Sequence, residues 1–67
     1  MKFSEYDIVL VLKDYPENKI KKGDIGVIVM IYTIPNLAYE VEFSDENGNS
    51  KINFAIPESE LKLVTEL

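Results

Sequence analysis

The apolar positions in the first half of the chain follow the two-residue period of β-strands and form no helical stripe. A first strand is predicted over residues 6–13, which are rich in β-branched and aromatic side chains. Its residues 9–12 are all apolar, which favours a strand that is covered on both faces, as in a small barrel. A second strand is predicted over 27–32, after a loop interrupted by Pro16 and a turn at Lys21-Lys22-Gly23-Asp24.

The second half of the chain predicts a β-hairpin with one register. Asn47-Gly48 is the strongest two-residue hairpin signal, because a type I′ turn needs positive φ at both central positions. With these residues at the tip, one face, which we expect to be buried, pairs Phe43 with Ile52, Val41 with Phe54, and Tyr39 with Ile56. The other face pairs Glu40 with Ala55, Glu42 with Asn53, and Ser44 with Lys51. A shift of one residue would set apolar against polar along the ladder, so the turn and the pattern select the same register.

The remaining signals complete an order of five strands. Gly26, before the second strand, indicates a bulge or a close approach of two backbones. Pro57-Glu58-Ser59-Glu60 predicts a single helical turn, and a short last strand follows over 61–64. This order indicates an all-β fold: a small five-stranded SH3-like barrel with a short helical turn before the last strand, forming one domain over 1–67. A five-stranded OB-like barrel is the alternative.

Composition narrows the possible functions. The chain has no cysteine and no histidine, so disulfides, the commonest general base and the commonest transition-metal ligand are all missing. The oxygen-rich segment 45–49 lacks the spacing of a calcium loop. We therefore predict no catalytic residue, no cofactor and no metal site, and expect that the protein is not an enzyme.

Charge and hydropathy reduce the classes of partner that the protein is expected to bind. The longest apolar stretch, 25–32, is far shorter than the roughly 20 residues of a membrane helix. Two acids before the first apolar run disfavour a signal peptide, so a cytoplasmic protein without membrane contact is expected. The net charge of −5 and the lack of arginine disfavour nucleic acid as a partner.

Five segments, taken together, carry a family resemblance: Asp7-Ile8-Val9, Tyr15-Pro16-Glu17, Lys22 to Val29, Tyr39 to Phe43, and Leu61. They resemble the small bacterial family catalogued as domain of unknown function 4926, over roughly residues 6 to 64. The most specific parts are the Gly-Asp-x-Gly-x-x-Val segment and the Tyr-Glu-Val-Glu-Phe strand. The resemblance implies an SH3-like barrel without catalytic motifs. Because some members lie beside toxin or nuclease-like domains, it also implies an antitoxin or immunity role.

Four acidic residues lie close together on the predicted hairpin: Glu40, Glu42, Asp45 and Glu46. Catalysis would need an acid and a base held in different environments, whereas Glu40 and Glu42 point outward from an exposed strand. We interpret the four acids either as solvated side chains on the polar face of the hairpin or as a face that attracts a basic protein.

Two other segments offer candidate contacts for a protein. Tyr15, beside Pro16, is the tyrosine expected to be partly exposed, in the region where SH3 domains form their peptide groove. Ile34 and Leu37, in the loop before the hairpin, are either apolar anchors for a partner or a cover over an open end of the barrel. A basic cluster, Lys19, Lys21 and Lys22, either contacts a phosphate or is balanced by nearby acids.

The function expected from these features is non-catalytic protein binding. The leading hypothesis is an immunity or antitoxin-type protein that neutralises a basic toxin or nuclease through the acidic face. The alternative is a structural or adaptor module of a larger assembly, or a homo-oligomer.

Overall fold

Five apolar-rich runs of the chain form one antiparallel sheet. The computed structural model describes residues 1–44, 48 and 51–66. Its strands are β1 (Ile8–Val11), β2 (Ile25–Tyr32), β3 (Ala38–Ser44), β4 (Lys51–Pro57) and β5 (Leu61–Leu63). Short 3₁₀ turns span Pro16–Asn18, Glu58–Glu60 and Val64–Glu66. Within the described residues, no helix is long and apolar enough to cross a membrane.

The strands lie in the order β4-β3-β2-β1-β5, so the last strand returns to lie beside the first. β2 pairs with β1 over residues 25–27 and with β3 over 27–32, with a bulge between Ile28 and Met30. A bulge bends the strand that carries it, which here turns the sheet over on itself. The predicted all-β fold with five strands and a short helical turn before the last strand is confirmed.

The core draws on every strand. Its fully buried side chains, in chain order, are Val9, Val11, Ile28, Tyr39, Val41 and Ile56. Phe3 also belongs to the core and packs its ring edge-on against Tyr39, with ring centroids 5.3 Å apart. Sequence reasoning gave Phe3 no role, because a single apolar residue outside any strand has no period by which to assign it.

The predicted register of the hairpin is confirmed along the whole β3–β4 ladder, from Ala38–Pro57 to Ser44–Lys51. The expectation that its apolar pairs are all buried is wrong at one end. Ile52 is 40% exposed, because it lies near the open end of the hairpin beyond the centre of the core. Gly48 has φ +71°, as the predicted turn requires, while Asn47 lies outside the described residues.

Gly26 lies where β2 crosses close to β3. A Cβ added there would be 2.6 Å from Val41 Cγ1 and 2.8 Å from the carbonyl oxygen of Glu42. The predicted close approach of two backbones is therefore confirmed at this residue, and the bulge lies further along β2.

β1 is shorter and less covered than predicted. The strand begins at Ile8, because Tyr6 has φ +72°, which strand geometry does not allow. The expectation that residues 9–12 are covered on both faces is wrong: Val9 and Val11 are fully buried, whereas Leu12 is 39% exposed. Ile8, just before this run, is 49% exposed. The outward side of β1 remains open to solvent.

Candidate protein-binding surface

The acids predicted to face outward lie side by side on the outer face of β3. Glu40 and Glu42 pair across the ladder with Ala55 and Asn53 of β4, and both are half-buried. The Tyr32 hydroxyl donates a hydrogen bond of 3.1 Å to Glu40 Oε1, and this bond is the main reason that the pKa of Tyr32 is raised. The other two predicted acids, Asp45 and Glu46, lie outside the described residues.

The acids border a larger apolar surface that sequence reasoning missed. On the other side of β3, Glu42 pairs with Val27 and Glu40 pairs with Met30 of β2. Met30 is 51% exposed.

Beyond this border, β1 and β2 present apolar side chains to solvent. Their cross-strand pairs on the outward side are Ile8 with Val27 and Leu10 with Ile25. We call these four residues the outer apolar face. Ile25 is 55% exposed and Ile8 is 49% exposed, so two of the four side chains of this face are accessible to water.

A basic residue closes the far side of this surface. Leu10 pairs with Lys62 of β5, whose side chain is exposed. The outer side of the sheet therefore carries acids on β3, apolar side chains on β2 and β1, and a lysine on β5. The sequence signal for this apolar surface was the pair of apolar runs at 9–12 and 25–29. Consecutive apolar residues in a strand place hydrophobic side chains on both of its faces.

Tyr15 belongs to a different part of the molecule. Its hydroxyl donates to Glu60 Oε1 in the 3₁₀ turn before β5, and its ring packs edge-on against Phe54 with centroids 5.1 Å apart. Lys13 Nζ lies 5.1 Å from the centre of the ring and 3.4 Å from Glu60 Oε2. The half-buried ring thus joins the first loop to the end of the barrel, instead of lining an open groove with the acids.

The loop before β3 separates its two predicted apolar anchors. Ile34 is 86% exposed. Leu37 is half-buried and packs against the core, which corresponds to the alternative that it folds back over the barrel. The structure therefore leaves only Ile34 of this pair available on the surface.

A second polar cluster anchors the start of the chain. The Tyr39 hydroxyl donates a 2.5 Å hydrogen bond to Glu58 Oε2, which also accepts one of 2.8 Å from the backbone N–H of Lys2. These two bonds lower the pKa of Glu58, that from Tyr39 having the larger effect. Burial, and next the bond to Glu58, raise the pKa of Tyr39. The backbone N–H of Phe3 donates to the Tyr39 hydroxyl at 3.3 Å, so the cluster fixes the first residues against the core.

Two backbone N–H groups in the loop that carries the basic cluster are already bonded to carboxylates. The backbone N–H of Lys22 donates to Asp14 Oδ1 at 2.8 Å, and that of Lys21 to Asp24 Oδ2 at 2.9 Å. These two backbone groups are therefore not available to a phosphate. Among the described residues, no group of three histidine, cysteine or acidic side chains could hold a metal ion.

The fold and this surface define a small all-β domain built on one folded antiparallel sheet. Residues 5–63 match the family described as domain of unknown function (DUF4926), and the chain belongs to that family. The family resemblance predicted from the sequence is thereby confirmed. No curated protein and no solved structure matched the chain.

Proposed function

We propose that this protein is a non-catalytic protein-binding domain of the immunity or antitoxin type, which neutralises a basic toxin or nuclease through the acidic side of its sheet. The observation that supports it best is the placement of Glu40 and Glu42 next to each other on the outer face of β3.

The surroundings of these acids suit contact with a protein. Glu40 is oriented by the hydrogen bond from Tyr32, so its carboxylate has less side-chain entropy to lose on binding. Val27 and Met30 adjoin the two acids and offer apolar contact area beside the charges. An apolar patch beside charged groups is the usual composition of a protein interface.

Electrostatics supports a basic partner. A net charge of −5 on 67 residues produces a negative field that attracts a basic protein and raises its rate of association. Acids placed over the phosphate-binding cleft of a nuclease would occupy the positions of nucleic-acid charges. The shifted pKa values among the described residues belong to Tyr32, Tyr39 and Glu58. The pKa of Tyr32 is raised and that of Glu58 lowered mainly by a hydrogen bond within the fold, and the pKa of Tyr39 is raised mainly by burial.

The test is the binding of this protein to the product of its neighbouring gene, with the rates measured by stopped-flow fluorescence or surface plasmon resonance. We expect Glu40→Lys and Glu42→Lys each to slow association about tenfold at low salt and to change dissociation much less. Raising the ionic strength from about 0.01 M to about 0.15 M shortens the Debye length from about 30 Å to about 8 Å and weakens the complex.

Glu17→Lys is the matched control. It makes the same charge change on an exposed residue of the first 3₁₀ turn, away from the outer face of β3. The control slows association by less than the β3 variants, because the effect of a reversed charge falls with its distance from the contact. A complex that forms equally fast with all three variants, or whose affinity does not change with salt, would contradict the proposed function.

An adaptor role in a larger assembly is the second candidate. It is favoured by Ile34, whose side chain is 86% exposed on the loop between β2 and β3. Under this alternative, Ile34→Ser weakens capture of the partner while Glu40→Lys leaves it unchanged. The two variants therefore separate the two candidates in one pull-down experiment.

A further inference from the structure

We propose that the outer apolar face binds a second copy of this chain, with the two sheets packed face to face about a two-fold axis that lies between them and is oblique to the strands. Self-association of this kind uses Val27 and Glu42, which also lie in the surface proposed to contact a basic partner, so the two associations compete and each has its own test. The self-association rests on the apolar content of the surface and on the positions of the charges around it.

The centre of the surface provides the driving force. Ile8, Leu10, Ile25 and Val27 form a block of two residues on each of two adjacent strands, whose axes lie about 4.8 Å apart. Ile8 and Ile25 remain about half exposed, at diagonally opposite corners of the block. A contiguous exposed apolar patch with a polar rim marks an interaction surface in a water-soluble protein.

The charges around the block identify the occupant. Glu42 adjoins Val27 at one corner, and Lys62 adjoins Leu10 at the diagonally opposite corner. A two-fold axis that lies between the two sheets, passes over the centre of the block and is perpendicular to the line from Glu42 to Lys62 exchanges these two residues. This axis is oblique to the strands. Each protomer then places its Glu42 over Lys62 of the other copy, while the four apolar side chains of one copy face those of the other.

This reciprocity is what an isologous interface requires, because the same patch must complement itself. A partner with basic groups alone would match Glu42 and repel Lys62. A second copy matches both corners with one symmetry operation, and for that reason it is the occupant that this arrangement of residues favours.

Net charge gives the dimer a distinctive salt dependence. Two protomers that each carry a net charge of −5 repel one another, and dissolved salt screens this long-range repulsion. We therefore expect self-association to strengthen as ionic strength rises from about 0.01 M to about 0.15 M. Binding of a basic partner should instead weaken as the ionic strength rises, so either proposal can fail without the other.

The first experiment is sedimentation velocity of the purified protein from about 10 µM to about 1 mM in about 0.15 M salt, a range that covers weak protein–protein affinities. We expect the weight-average sedimentation coefficient to rise from that of a monomer toward that of a dimer. A monomer at every concentration and both ionic strengths overturns the proposal.

Ile25→Lys and its matched control locate the interface. The substitution places a charge at one corner of the apolar block. Because it also reduces the net negative charge, it would favour any association that charge repulsion alone opposes. We nevertheless expect it to abolish the dimer, and Ile8→Lys gives a second, independent disruption. Ile34→Lys makes the same chemical change on the exposed loop outside the face and leaves dimerisation within about twofold of the original. Equal effects of Ile25→Lys and Ile34→Lys overturn the assignment.

A charge exchange tests the two-fold arrangement itself. Lys62→Glu and Glu42→Lys each set like charges against each other in the dimer, and we expect each to weaken association several-fold. The double variant exchanges the two charges and keeps the net charge at −5, so it recovers most of the loss. Because Glu42 also makes an interaction within its own chain, far-ultraviolet circular dichroism checks the fold of each variant. A double variant that fails to recover overturns the proposed symmetry.

Discussion

The β3–β4 hairpin and the β1–β2 ladder each contribute one face to the core, but they present different side chains to solvent. On β3 the residues alternate strictly, so that Tyr39, Val41 and Phe43 are buried while the intervening acids face outward. On β1 and β2 the outward positions are also apolar, and Ile8 and Ile25 are about half exposed there. Both ladders contribute to the same core, so the difference lies only on the outer side of the sheet.

This difference separates residues that hold the fold from residues that are available for contact. A strand buried on one face needs apolar residues only at alternate positions. The additional apolar residues on the outward side of β1 and β2 contribute little to the core of the monomer. Substitutions on the two sides of one strand should therefore differ strongly in their effect on stability.

The largest effect on stability is expected from a comparison of two isoleucines on opposite faces of β2. Ile28→Ala removes a fully buried side chain and should lower the free energy of unfolding by about 2–5 kcal/mol. Ile25→Ala makes the same chemical change at a position that is 55% exposed, and it should cost less than about 1 kcal/mol. Urea denaturation at low protein concentration measures both. Similar losses for the two variants would mean that the outward side of β2 also stabilises the monomer.

A smaller effect is expected from the crossing point of the two ladders. Gly26→Ala places a methyl group 2.6 Å from Val41 Cγ1 and 2.8 Å from a backbone carbonyl oxygen, and the carbonyl cannot rotate away. We expect a loss of about 1–3 kcal/mol. Gly23→Ala is the control, because no atom lies within 4 Å of its added methyl group and only the positive φ of +93° is unfavourable. If Gly26→Ala costs no more than Gly23→Ala, the close approach does not restrict this position.

The smallest expected effect is a pH dependence of the free energy of unfolding, which comes from Glu58 and its hydrogen bond from Tyr39. The pKa of Glu58 is lowered in the folded protein, so the unfolded chain binds more protons around the usual pKa of 4.5. The stability that Glu58 contributes is present above that value and is lost as the pH falls through the folded pKa.

Tyr39→Phe removes the main cause of this lowered pKa. We expect the variant to lose about 1–2 kcal/mol near neutral pH and to show a weaker decline in stability between about pH 5 and pH 3. Tyr32→Phe, which removes a phenol hydroxyl on the outer side, serves as the comparison and keeps the full decline. If the stability of Tyr39→Phe declines between about pH 5 and pH 3 as steeply as that of the original protein, another carboxylate causes the decline.

The hairpin could be predicted from the sequence because two independent signals agree there. The Asn47-Gly48 pair and the alternation of Tyr39, Val41 and Phe43 select one register, and the structure has that register. Gly26 was also informative, since a glycine within an apolar strand commonly marks a bulge or the close approach of another backbone.

The candidate surface could be predicted only in part. An apolar run such as 9–12 is compatible with cover on both faces or on one, and only the three-dimensional arrangement shows that Leu12 and the neighbouring Ile8 are partly exposed. The roles of Tyr15 and Phe3 depend on residues 45 and 36 positions away, respectively, and no local pattern encodes such contacts. Leu37 and Ile34 are equivalent in sequence terms, yet the loop turns only Leu37 toward the core.

The pairing of β1 with β5 also has a consequence for folding kinetics. Val9 lies opposite Leu63, so this ladder closes only after the chain between them has become ordered. Contacts between residues so distant in sequence slow folding, and a domain of this topology should fold in milliseconds to seconds rather than microseconds. During synthesis β1 leaves the ribosome early and keeps an unpaired edge until 61–63 emerge. An unpaired apolar edge invites pairing with other chains, so the yield of native protein should depend on how quickly the last strand arrives.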